Sequence, residues 1–350
     1  MRIERSRALQ AQPYERVQTR QGYANGYKPK TIRSRIGELN LSVPQVRGDV
    51  EFYPSALERG ERSERALKIA LAEMYVRGIS TRRVSKVVEQ LCGFEVSSSE
   101  VSKASKLLDE ELEQWRNRPL GEVPHLFLDA RYEKVRINGS VVPASLLIVT
   151  GILPSGHRSV LGVSVSLSEA EVHWKSLLQK LLERGLHGVK SITADDHAGL
   201  NKALDAVLTG IKRQRCQVHL QRNAQAYVPR VAMREEVAAD IRAIFNAPER
   251  CEADRLLEMK VHKYAKKAPQ LAAWMEENLP QGLTVFEYDT KLMKKLRTTN
   301  GVERTKREIK RRTRVAGLFP NPESLLRLAS AILIEISEEW ETGRRYVNLG

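Results

Sequence analysis

A short apolar run that stops dead at two adjacent acids constrains this chain more than any other feature. Residues Ile192–Leu200 read I-T-A-D-D-H-A-G-L, and R-C-Q-V-H follows at Arg215–His219. An apolar segment, a carboxylate pair and then a Gly that opens an amphipathic stretch describe a buried strand reaching the lip of a sheet and passing into a helix. Asp195, directly after Ala194, is the acid such a strand would deliver there.

The flanking pattern says which sheet. After Arg118-Pro119 the texture turns to strands: His125–Asp129 ends in an acid, Ser145–Thr150 is a buried run, and Ser159–Leu167 alternates. Asn138-Gly139 and Ser155-Gly156 supply the turns of an antiparallel meander. Glu169–Arg184 is an amphipathic helix stopped by Gly185. There follow the Ile192 strand, a helix over Leu200–Leu208, a basic strand over Lys212–Val218 and a helix from Leu220. This β-β-β-α-β-α-β-α order is the scheme of a ribonuclease H-like fold, in which helical crossovers add two strands to three antiparallel ones. The expected class is therefore α/β, a mixed five-stranded sheet with flanking helices.

Residues 225–290 are rich in Ala, Glu and Lys, and lack a strand-like run until Leu283–Tyr288, so they read as an all-α insertion. Leu296–Arg314 predicts one very basic helix with a prominent acid, Glu303. Beyond Phe319-Pro320, Leu325, Leu326, Leu328, Ala331, Ile332, Ile334 and Ile336 predict a helix packed back on the core. The expected divisions are 1–60, a basic arm; 61–118, helical; 119–224, the first part of the core; 225–290, the insertion; and 291–350, the second part.

The chain carries 58 Lys+Arg against 43 Asp+Glu, a net +15, which suits a polyanion such as nucleic acid. In the N-terminal arm Arg20, Lys28, Lys30, Arg33 and Arg35 interleave with Tyr23 and Tyr27. Gly37–Val43 alternates like a strand that Pro44 stops, as in a ribbon laid on a phosphate backbone or an ordinary solvated hairpin. Helical spacing of Ala66, Ile69, Ala70, Leu71 and Met74, then of Val84, Val87, Val88 and Leu91, then of Val101, Ala104, Leu107 and Leu108, suits either a helix-turn-helix or a plain bundle. In the helix-turn-helix reading Lys103 sits near the head of the reading helix. Three cysteines without framework spacing imply a reducing compartment. No run long enough to span a bilayer and no signal-like start imply a cytoplasmic protein.

Asp129 and Asp195 each end a predicted central strand, and in this strand order those strands are neighbours. Two carboxylates brought together call for a cation between them, and oxygen ligands favour Mg²⁺ or Mn²⁺. Glu303 on the late helix would complete a two-metal site for phosphoryl transfer, with Arg307 and Lys310 on the same face to hold a phosphate. Plainer roles stay open: Asp129 as a turn cap, Asp195 or Asp196 as a helix cap, Glu303 as the i,i+4 partner of Arg307. Cys216-x-x-His219 is two ligands short of a zinc site, and reads as a buried thiol with a hydrogen-bonded imidazole or as a helper beside the active site.

These residues carry a resemblance. Asp195-x-x-x-Gly199-Leu200 followed by Cys216-x-x-His219 resembles the signature of the Mutator-type transposases of bacterial insertion sequences. So do F-L-D-A-R-Y-E-K-V-R at Phe127–Arg136, W-K-S-L-L at Trp174–Leu178, R-G-L-H-G-V at Arg184–Val189, and T-T-N-G-V-E-R with E-I-K-R-R-T-R-V between Thr298 and Val315. The resemblance runs from about Gly22 to Glu341. It implies a DDE transposase with the triad Asp129, Asp195 and Glu303, the Cys216/His219 element and two Mg²⁺ or Mn²⁺ ions. Arg304, next to Glu303 on the basic helix, is with Arg307 and Lys310 a candidate for binding DNA. The implied partners are terminal inverted repeats and target DNA in a homodimer or larger synaptic complex near the bacterial nucleoid, with no membrane. A catalytically silent DNA-binding descendant and a nuclease of the same fold without strand transfer are the alternatives. The chain departs from the pattern at Lys306, where Asn is usual and where the expected effect is on helix polarity or phosphate contact, with no contact with the triad. Ile211 replaces a smaller residue, and the helical region ahead of the basic arm is shorter.

Overall fold

The computed structural model describes residues 1–348, apart from the side chains of 300–304 and 315–316. The chain divides into two compact units, Met1–Asp109 and Glu110–Gly350.

In the first unit a short helix α1 (Arg2–Ala8) precedes an antiparallel ribbon, β1 (Tyr23–Ser34) and β2 (Gly37–Arg47). Contrary to the sequence reading, Pro44 does not stop β2. Its partner is Tyr27, beside a bulge between Ala24 and Tyr27, and a two-stranded ribbon has only edge strands, so the missing N–H interrupts no ladder. Three helices follow, α2 (Arg65–Val76), α3 (Thr81–Cys92) and α4 (Ser98–Ala104). The starts follow the caps: Ser80 accepts from the Arg83 amide, and Ser97 forms a reciprocal box with Glu100. The buried face of α2 differs from the expected one. Leu67, Leu71, Ala72 and Val76 face the core, while Ile69 and Ala70 are exposed. On α3 only Val84 and Val88 are buried, and Leu91 is exposed. The third expected helix tightens into a 3-10 turn at Ser105–Leu108 before α5 (Asp109–Asn117).

The second unit is built on a five-stranded mixed sheet of order β5-β4-β3-β6-β7. Its meander is β3 (His125–Ile137), β4 (Ser140–Ile152) and β5 (Arg158–Ser166). Asn138-Gly139 turns the first hairpin with both residues at positive φ, as a two-residue hairpin turn requires. α6 (Glu171–Glu183) crosses to β6 (Ser191–Ala194), parallel to β3, and α7 (Ala198–Val207) crosses to β7 (Lys212–Arg215), parallel to β6. Strand alternation sorts β3 between two cores. Leu126 and Leu128 pack with Trp174, Leu178, Leu200 and Leu204 of α6 and α7. Phe127 packs on the opposite face with residues of the C-terminal helices, and Asp129 has its parity.

α8 (Gln217–Ala224) begins three residues earlier than expected, because the Cys216 amide ends the strand pairing with a bond to the Ala194 carbonyl (2.8 Å). α9 (Arg234–Phe245), α10 (Arg250–Ala265) and α11 (Pro269–Asn278) share a core of their own with Leu220 and Ala224. Their polar anchor is Asp240, which accepts from Lys260 (2.7 Å), Lys263 (2.5 Å) and the Tyr264 hydroxyl (2.6 Å). Burial alone would push its carboxyl up, but these donors outweigh it and hold the group below its ordinary value. Because the folded value is the lower one, this contribution is complete above the ordinary aspartate range and fades as pH falls through the folded value. Asp240→Ala is expected to lower stability by about 2 kcal/mol at pH 7, and by less in acid, in urea titrations at both pH values.

Leu283–Tyr288 is not a strand. It forms a 3-10 turn at Thr284–Glu287, docked on the edge strand β7 by side chains. Gln214 bonds the Gly282 carbonyl (2.9 Å) and the Val285 amide (3.0 Å), and Thr284 bonds the Arg213 carbonyl (2.8 Å). The edge is thereby covered without a sixth strand. The basic helix expected over Leu296–Arg314 is α13 (Asn300–Ala316), which starts four residues later than expected, after a separate helix α12 (Thr290–Leu296). The break has a local cause: the Leu296 carbonyl is taken by Thr193 Oγ1 (2.7 Å) and the Arg297 carbonyl by the Gln217 amide (3.0 Å), so neither is free for the next turn. The last helix, α14 (Pro322–Thr342), is capped by Asn321 and buries Leu325, Leu328, Ala331 and Ile332. Among the described residues no helix is long and apolar enough to cross a membrane.

Candidate active site

The parallel pairing of β3 with β6 places Phe127 opposite Thr193. Continued two residues along each chain, that register sets Asp195 beside Asp129, on strands about 4.8 Å apart. Asp129 is only 6% exposed, whereas Asp195, one residue beyond β6, is half-buried. Each carboxylate has one oxygen fixed by the next residue's amide, Ala130 to Asp129 Oδ1 (2.9 Å) and Asp196 to Asp195 Oδ1 (2.8 Å). Those bonds leave the Oδ2 atoms to define the site.

Asp195 Oδ2 lies 3.9 Å from His219 Nδ1. Asp196 turns elsewhere, to Arg215 (3.3 Å) and the Asn201 amide (2.6 Å). This separates the adjacent acids by partner: Asp195 faces the Asp129 corner, while Asp196 braces α7 and β7. The cap position of α7 belongs to His197, with no side-chain cap bond, so neither acid serves as the N-cap.

Cys216 and His219 sit at the start of α8, the thiol fully buried and the imidazole nearly so. Burial alone would raise the thiol, but hydrogen bonds from His219 and Thr299 outweigh it and leave Cys216 below its ordinary value. The bond to Cys216, helped by the charges of Asp195 and Asp129, lifts His219 above its ordinary value against burial. The Thr299 amide and hydroxyl both meet the Cys216 sulfur at 3.4 Å. Cys216 thus clamps the residue immediately before α13. Arg297 adds bonds to Gln217 (2.9 Å) and Asn246 (2.6 Å), so α13 leaves a segment fixed to the ends of β6, β7 and α8.

Buried Thr305, Ile309, Arg312 and Thr313 seat α13 on the core, and Arg307 and Lys310 are exposed. The side chains of Glu303 and Arg304 lie outside the described residues. Among the described residues no three His, Cys, Asp or Glu side chains form a metal-binding group. Contrary to the sequence reading, Asp129 does not end its strand, since β3 runs on to Ile137; only Asp195 follows a strand end. The chemistry of the two aspartates nonetheless fits a hard divalent cation, since both are oxygen ligands on neighbouring strands, and Asp129 already holds a cationic group.

That group corrects the sequence reading. Lys306, for which no contact with the triad was expected, places its Nζ 2.6 Å from Asp129 Oδ2, with the aspartate buried and the lysine only slightly exposed. Burial pushes the Asp129 carboxyl up, against the opposing pull of Lys306, His219 and the Ala130 amide. The signal was present in the spacing, because Lys306 stands one helical turn after Glu303. The clamp on Thr299 had no such signal, since it joins residues 83 apart in the chain.

The basic residues of the first unit fall into two groups. Arg20 is bound to the carbonyls of Gln12 and Glu15, Lys30 to Tyr53 and the Glu58 carbonyl, Arg33 to Glu38 and Glu100, and Arg35 to Glu64. Lys28 and Lys103 are exposed.

Comparison with known proteins covers the whole chain. The profile of the family described as "Transposase, Mutator family" matches residues 1–343. The transposase for insertion sequence element IS406 of Burkholderia multivorans is 56% identical over 99% of this chain and 90% of its own length. That for ISRM5 of Rhizobium meliloti is 41% identical over 100% and 87%, and that for IS256 in transposon Tn4001 of Staphylococcus aureus is 35% identical over 99% and 90%.

Proposed function

The chain belongs to the Mutator family of transposases, and on that premise we propose that it cuts the ends of its insertion sequence and joins them to target DNA at one metal-dependent site. The observation that carries this reading is the parallel pairing of β3 with β6, whose register brings Asp129, within β3, beside Asp195, just past the end of β6. The strand order supports a ribonuclease H-like core, with α9–α11 inserted before the helix that bears Glu303.

In this reading Asp129, Asp195 and Glu303 hold two Mg²⁺ or Mn²⁺ ions. When bound, such ions would activate the attacking oxygen and neutralise charge on the phosphate. The chain's own groups do the rest. Exposed Arg307 and Lys310 on α13 grip a backbone phosphate of the cut strand, and Arg304 joins them. His219 holds Asp195 in place from one side, and the Cys216–Thr299 clamp sets where α13 begins. Water attacks the phosphorus at the element's end, the bond to the 3′-oxygen breaks, and that oxygen leaves as a hydroxyl. The freed hydroxyl then attacks a target phosphate and displaces another 3′-oxygen, so no covalent protein–DNA intermediate forms.

The ribbon and helices of the first unit bind the terminal inverted repeats, with Lys28 and Lys103 on phosphates and Arg20, Lys30, Arg33 and Arg35 exchanging their present partners for DNA. Two ends must be held together, which calls for a dimer or larger assembly. The test incubates the protein and Mg²⁺ with an oligonucleotide carrying the element's terminal repeat and a plasmid target. Joined products support the reading. Cleavage that never yields joined products would make the chain a nuclease, and binding without cleavage a silent DNA-binding protein.

A further inference from the structure

The fold does not call for the ammonium at Asp129. Thr305, Ile309 and Thr313 already seat α13, and Asp129 Oδ1 already accepts the Ala130 amide. A buried ion pair contributes little net stability, because desolvation offsets most of the attraction. Yet Lys306 Nζ stands 2.6 Å from Oδ2, with 12% of the lysine side chain and 6% of the aspartate exposed. It sits at contact distance from the oxygen that a hard cation would use.

We propose that Lys306 is a built-in competitor for the divalent cation at Asp129, an ammonium that fills the ligand oxygen's coordination space and must swing away for an ion to enter. The inference rests on the metal-dependent reading of Asp129 above. Two cations cannot share one buried oxygen at contact distance without strong repulsion, so binding must include the cost of displacing Lys306. The arrangement keeps the buried carboxylate neutralised while no ion is bound. In exchange it makes the site demand more free metal.

Direct titration of the full chain with Mn²⁺ at pH 8, followed by the electron paramagnetic resonance of the free ion, separates the possibilities. The proteins are wild type, Lys306→Met, Asp129→Asn and the double variant. Lys306→Met keeps the length of the stem and removes the charge, and is expected to tighten the Asp129-dependent site at least about tenfold. Asp129→Asn is expected to abolish that site in both backgrounds. Lys306→Gln, which still donates to Oδ2 without a charge, gives the same comparison if circular dichroism shows the methionine variant unfolded. An Asp129-dependent site whose affinity is unchanged or weaker without Lys306 overturns the competition and leaves the metal reading standing. Mn²⁺ binding indifferent to Asp129→Asn overturns the metal reading itself, and the competition with it.

Discussion

Asp129→Asn should lower cleavage of a terminal-repeat substrate by at least about a thousandfold while leaving affinity for the same DNA within about twofold. The amide keeps the shape of the carboxyl, and its oxygen can still accept the Ala130 amide or Lys306, so the fold loses no packing. What it lacks is the negative charge that a divalent cation requires. Asp195→Asn should behave alike, because its Oδ2 looks into the same corner from the next strand. Glu303→Gln is the third member of the set. Asp196→Asn is the internal control. That acid is engaged with Arg215 and Asn201, so its variant should keep cleavage within a few-fold. Single-turnover cleavage in Mg²⁺, with binding measured by gel shift in Ca²⁺, reads both quantities. Equal losses at Asp195 and Asp196 would remove the distinction drawn between them.

The sheet and the two aspartates were legible because they depend on local pattern. The apolar run before Asp195 marks a strand end, the run before Asp129 marks a strand that continues to Ile137, and turn residues at Asn138-Gly139 set the hairpin. Alternation along β3 even places Asp129 on the face of Phe127, toward the C-terminal helices. The errors arose where tertiary bonds overrode local preference. Leu296–Arg314 has helical composition throughout, and nothing nearby announces that Thr193 and Gln217 will claim the carbonyls of Leu296 and Arg297. Leu283–Tyr288 has strand composition, but side chains of β7 hold it as a tight turn. In the first unit the buried stripe of α2 is shifted from the expected one, because Ala66, Ala70 and Met74 are apolar enough to blur its phase. Lys306 is the instructive case. Its position on α13 was readable, yet its contact needed the strand that carries Asp129.

The Gly of the Asp195-x-x-x-Gly199 motif has a steric explanation that leads to the largest stability effect expected here. A Cβ on Gly199 would lie 2.2 Å from the Glu169 carbonyl oxygen, 2.9 Å from the Glu171 amide nitrogen and 3.0 Å from the Ala170 carbonyl carbon. All three are backbone atoms at the entry to α6, so no rotamer change can relieve the contact. Gly199→Ala must instead push the start of α7 away from α6. That loosens Leu200, Ala203 and Leu204 against Trp174 and Leu178 and drags the Asp195 turn with them. The expected cost is about 3 kcal/mol in urea unfolding, with cleavage falling more than DNA binding, because the first unit does not depend on α7. Gly121→Ala, where a Cβ would meet nothing within 4 Å, should shift stability by less than about 0.5 kcal/mol. A Gly199→Ala variant as mild as Gly121→Ala would remove the approach of α7 to α6 as the reason for the motif's Gly.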